Sequence, residues 1–112
     1  VWTFTGYIIY KLCKARNTDR LKFSALYDFM FKVLWRKYKI ALVESGEELK
    51  REVEFLAEIN ALEFDGREIK IKEKLKDVAN TVEHSKLREE LLLYREYLSR
   101  INEAIKEVER SS

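Results

Sequence analysis

The side chains suited to covalent or acid–base chemistry are few and scattered. His84 is the only histidine and Cys13 the only cysteine. A thiol–imidazole nucleophile pair needs a motif that holds both groups within hydrogen-bond reach, and neither segment supplies one. Cys13 lies in an apolar run and reads as a small buried hydrophobe. His84 falls one heptad before Leu91 in the C-terminal pattern, so a structural or solvent-facing role is expected. A lone cysteine also excludes an in-chain disulfide framework or thiolate metal site. Gly6, Gly46 and Gly66 are too dispersed for a phosphate-cradling loop. Glu47, Glu48, Glu52, Glu54 and Glu58 recur as on a solvated helix face, not as an acid/base pair or metal cage. No catalytic residue, metal or cofactor is assigned, no small-molecule substrate is evident, and the chain is expected not to be an enzyme.

The basic residues offer chemistry of another kind. The net charge of +2 hides an asymmetry, because residues 1–40 carry nine Lys/Arg against two Asp. Residues 41–112 carry thirteen against eighteen. A basic front half suits phosphate. It equally suits pairing with the acidic back half, and both readings stand at this stage.

The elements that must position these charges are clearest between Ser45 and Lys72. Ser45 with Glu48 three residues on is a capping box, so a helix is predicted from Gly46. Leu49, Val53 and Leu56 share one face of it, widened by Ala57 and Ile59. Asn60, tolerant of the left-handed conformation, should end it. Leu62 and Phe64 then alternate with charges, as do Ile69 and Ile71, on either side of Asp65-Gly66. Asp-Gly between alternating runs predicts a hairpin with a type I′ turn. Such a turn pairs Phe64 with Arg67 and Leu62 with Ile69. It places Leu62, Phe64, Ile69 and Ile71 on the core face.

The run from Phe55 through Asp65-Gly66 to Ile71 resembles helix 3, strand, wing and strand of the winged helix-turn-helix superfamily, in particular small dimeric prokaryotic or archaeal regulators. The resemblance covers about a quarter of the chain. It implies a DNA-binding transcriptional regulator, with helix 46–59 in the recognition position and Asp65-Gly66 at the wing tip. On this reading Lys50 and Arg51 read sequence, while Arg36, Lys37, Lys39, Arg67, Lys70 and Lys72 anchor phosphates of duplex DNA. The five glutamates of that helix oppose the reading, since most DNA affinity comes from phosphate contacts. Glutamate can still accept from the cytosine amino group, and a wing-dominated contact with the helix shallow in the groove is compatible with them. The alternative is a winged-helix protein–protein interaction module without DNA binding.

Around that stretch, Phe4–Lys14 has helical spacing through Tyr7, Ile8, Leu12 and Ala15. Arg16-Asn17-Thr18-Asp19 is a polar break. Arg20 to about Lys39 is expected to be one long aromatic-rich helix at the centre of the core. Its first stripe is Phe23, Leu26, Met30, Val33 and Leu34, and its second is Tyr27, Phe31, Trp35 and Tyr38. Core packing is the expected role of the aromatics, with base stacking as the alternative. Helix resumes near Glu73 through Leu75, Val78, Ala79 and Val82, with a register shift at Glu83-His84-Ser85. Leu87, Leu91, Tyr94, Leu98, Ile101, Ile105 and Val108 then step by four and three, which predicts a coiled-coil-like seam joining two copies of the chain, with a terminal helix packed wholly on its own domain as the alternative.

The predicted fold class is mostly α with a small β-hairpin (α+β), a winged helix-turn-helix with a long C-terminal coiled-coil-like helix. The expected domains are 1–74, the winged helix, and 75–112, the dimerisation segment. No stretch is long enough to span a membrane and no secretory signal is read, so a cytoplasmic protein is expected. The absence of Pro and Gln beside many Lys and Glu suggests a thermophile.

Overall fold

The most deeply buried element is the first helix, seven of whose side chains are enclosed by later parts of the chain. The computed structural model describes residues 2–83 and 90–111, with side chains from 3 to 82 and from 96 to 110. The elements are α1 (Trp2–Ala15), β1 (Arg20–Lys22), α2 (Phe23–Asp28) with a π-helical continuation (Phe29–Trp35), α3 (Gly46–Glu58), β2 (Leu62–Phe64), β3 (Glu68–Ile71), α4 (Glu73–Glu83) and α5 (Glu90–Ser111). The described chain is thus mostly helical with one small antiparallel sheet of strand order β1-β3-β2, an α+β arrangement.

Helix α1 buries Phe4, Thr5, Tyr7, Ile8, Ile9, Leu12 and Cys13. It packs against α3, α4, α5 and β1. Close approach is possible because Gly6 has no side chain: a Cβ there would lie 3.1 Å from Val78 and 3.3 Å from Leu75 of α4. The Thr5 hydroxyl donates to Glu52 of α3. The Tyr7 hydroxyl donates to Asn102 Oδ1 of α5 at 2.6 Å. α1 ends at Asn17 (φ 53°), where the N–H groups of Asn17 and Thr18 donate to the carbonyls of Lys14 and Cys13. That is a Schellman stop, and α3 ends the same way at Asn60 (φ 65°), as expected.

Residues 20–39 are not one helix. Arg20–Lys22 form β1, with Arg20 opposite Lys70, Leu21 opposite Ile69 and Lys22 opposite Glu68. Pairing with a strand distant in sequence, together with burial of Leu21, overrides the local helical spacing. Beyond Asp28 the helix is wound with hydrogen bonds reaching five residues back. This aligns Phe29 with Leu34, and the buried face becomes Leu26, Phe29, Met30 and Leu34. The second aromatic stripe divides: Tyr27 is 40% and Trp35 50% exposed, whereas Phe31 and Tyr38 are half-buried against the core. The central core helix is therefore α1, and α2 with its continuation lies at the edge of the core.

The hairpin forms with its register shifted by two residues from the expected one. Phe64 faces Ile69 and Leu62 faces Ile71. A shift of two keeps the alternation, so Leu62 and Ile69 are buried and Phe64 and Ile71 half-buried, all on the core side.

The described part of the C-terminal seam packs against the chain's own core. Ile101, Ala104 and Ile105 are buried, and Tyr97, Leu98 and Val108 are half-buried against the same core. Ile101 and Ile105 consequently have no apolar surface left to offer a second copy. His84 and Leu87 lie outside the described residues, as do the side chains of Leu91 and Tyr94. No helix among the described residues is long and apolar enough to cross a membrane.

Candidate nucleic-acid interface

The eight cations read as phosphate or base contacts are all exposed, but they fall into three separate groups. The first group is on α3. Ser45 caps this helix by accepting from Glu48 N–H at 3.2 Å. Glu48 Oε2 reaches back to Glu44 N–H at 2.9 Å instead of the Ser45 amide that a regular box would use. With Leu49, Val53 and Leu56 buried, the 3.6-residue repeat turns Glu47, Lys50, Arg51, Glu54 and Glu58 to solvent. Three carboxylates thus share that face with the two cations.

The second group surrounds the hairpin. Gly66 (φ 98°) is the only residue of the turn with positive φ. Asp65 Oδ1 accepts from the N–H groups of both Arg67 and Glu68, each at 2.8 Å. This Asx arrangement fixes the tip together with the backbone bond from Asp65 N–H to the Glu68 carbonyl at 3.4 Å, which centres the turn on Gly66-Arg67. The two amides, that of Glu68 first, hold the Asp65 carboxyl below the ordinary carboxylate range. Arg67 is exposed at the tip. Its carbonyl accepts from Phe23 N–H at 2.8 Å, tying the tip to the start of α2.

Between the hairpin tip and the start of α2 lies an open cleft of about 600 Å³, lined by Lys22, Phe23, Ser24, Gly66 and Arg67 and by the carboxylates Asp65 and Glu68. Lys22 and Arg67 are exposed on its rim, and the Ser24 hydroxyl adds a neutral donor. Arg20 and Lys70 continue the positive charge across the solvent face of the sheet. Arg20 is held by Glu68 at 2.7 Å, and Lys72 lies 3.7 Å from Glu63. Exposed pairs of this kind are weak and exchange readily for a phosphate partner.

The third group, Arg36, Lys37 and Lys39, sits at the opposite end of the helix that begins at the cleft. Lys37 pairs with Glu107 of α5 at 2.7 Å. That contact raises the lysine's pKa and, first among its causes, lowers that of Glu107. Tyr38 is also bonded to Glu107, and burial raises its pKa. Lys37 is therefore a structural link between the π-helical segment and α5.

Sequence reasoning missed Arg20, Lys22 and Ser24 because 20–22 was read as helix. The available signal was the polar–apolar–polar alternation Arg20-Leu21-Lys22, too short to outweigh the helical spacing after it. The thiol of Cys13 is fully buried, and burial pushes its pKa up to about 11. No group of three or more metal-binding side chains occurs among the described residues. No protein-family model, curated protein or solved structure matches the chain.

Proposed function

We propose that this chain is a winged-helix module that binds duplex DNA chiefly through its hairpin and the adjoining start of α2. The observation that carries this reading is the open cleft at the hairpin tip, where Lys22, Arg67 and Ser24 line a space that they share with Asp65 and Glu68. The order helix, strand, helix, helix, strand, strand and the sheet order β1-β3-β2 support it. Helix α3 lies shallow in this arrangement, because Glu47, Glu54 and Glu58 repel phosphate. Lys50 and Arg51 supply what base readout there is, and regulation of transcription is the role such a contact would serve.

Binding of a labelled duplex pool, measured at two salt concentrations, tests this. The wild type should bind tightly at low salt and weaken steeply as salt rises. Arg67→Ala and Lys22→Ala should each weaken binding to all sequences and reduce the salt slope by about one. Absence of duplex binding at low salt would refute it.

One observation favours a second reading, a protein-interaction module. The three carboxylates on the exposed face of α3 suit a basic protein partner better than a nucleic acid. Retained partner binding in Arg67→Ala, with loss in a Glu54→Lys, Glu58→Lys variant, would support it. Dimerisation through α5, expected from the heptads, would have to draw on Leu87, Leu91 and Tyr94, since Ile101 and Ile105 are covered by the chain's own core.

A further inference from the structure

We infer that Trp35, flanked by Arg36 and Lys39, is a contact for single-stranded nucleic acid, separate from the hairpin cleft. Trp35 is 50% exposed, the most exposed large hydrophobic among the described residues. It has no aromatic partner among them. Its carbonyl accepts from Lys39 N–H at 3.2 Å, which sets Lys39 one turn beyond the indole. Lys39 takes the left-handed conformation, φ 58°, and ends the helix there.

The charges nearby sort into engaged and free. Lys32 pairs with Asp28 at 3.3 Å, and Lys37 pairs with Glu107 at 2.7 Å. Arg36 and Lys39 are exposed and make no ion pair among the described residues. A half-exposed indole beside two cations without an ion pair among the described residues is the combination that takes a stacked base and its flanking phosphates. A duplex keeps its base faces stacked on one another, so only a single strand can use the indole this way. The patch lies at the far end of this helix from the cleft, with Trp35 twelve residues beyond Phe23.

The test uses the full chain and a labelled oligothymidine of about a dozen nucleotides, followed by anisotropy at low salt. Trp35→Ala should weaken binding about tenfold, while Trp35→Phe, which keeps a ring, should stay within about threefold of wild type. Arg36→Ala and Lys39→Ala should lower the salt slope. An oligouridine of equal length distinguishes DNA from RNA as the source of the strand. Arg67→Ala should lose duplex binding and keep oligothymidine binding. Equal loss of both would mean a single shared surface and would overturn the assignment. So would a Trp35→Ala protein that binds like wild type, or a wild type that binds vesicles of phosphatidylcholine and phosphatidylserine but no oligonucleotide.

Discussion

Helix α1 and the helix formed by α2 with its π-helical continuation have similar inventories, aromatic and aliphatic side chains at helical spacing with lysines between them. Their fates differ. α1 is enclosed by α3, α4, α5 and β1, whereas the other helix lies at the margin with Tyr27 and Trp35 in solvent. The difference lies in the small residues. Gly6 lets the side chains of Val78 and Leu75 of α4 and Leu56 of α3 close against the α1 backbone. The second helix meets β1 and α5, yet leaves Tyr27 and Trp35 partly in solvent. Apolar content therefore says that a helix is buried somewhere, and the smallest residues say from how many directions.

The comparison can be broken first at Gly6. Gly6→Val should be the most damaging single change, because its Cβ alone would sit 3.1 Å from Val78 and 3.4 Å from Leu56. Overpacking of this kind costs about 1–3 kcal/mol, with β-branching in a helix adding to it. Urea denaturation should show a lowered midpoint, and an unchanged one would mean that α4 yields freely. A smaller effect is expected at Tyr7. Tyr7→Phe removes the hydroxyl that donates to Asn102 and should cost about 1 kcal/mol, read as a drop in melting temperature. At the other helix, Trp35→Ala should change stability by less than about 0.5 kcal/mol, since half the indole already faces water. A large loss there would place Trp35 in the core and remove the ground for reading it as a binding surface.

Helix α3 and the hairpin were readable in the sequence because their signals are local. Ser45 and Glu48 announce the start, Asn60 the stop and Asp65-Gly66 the reversal, each within four residues of the event it controls. The hairpin register was not readable, because it depends on where the turn is centred. Asp65 closes it around Gly66-Arg67. Strand β1 was hidden for a different reason. Its partner, Glu68–Lys70, lies far along the chain, and three residues carry too little alternation to declare a strand. The candidate cleft was therefore half legible: Arg67 stood out at the turn, and Lys22 and Ser24 did not. The C-terminal heptads were legible as an apolar stripe, but the pattern states only that something covers it. Here the described part is covered by α1 and the rest of the chain's own core.

Cys13 has a consequence for how this molecule can be observed. It is the only thiol, it lies fully enclosed on α1, and burial holds it protonated with a pKa of about 11. A thiolate-seeking reagent meets neither the exposure nor the ionisation it requires while α1 is in place. Modification therefore waits for the central helix to separate from its neighbours. The native chain thus carries its own clock for opening of the core, at the one element whose release dissolves the whole packing arrangement.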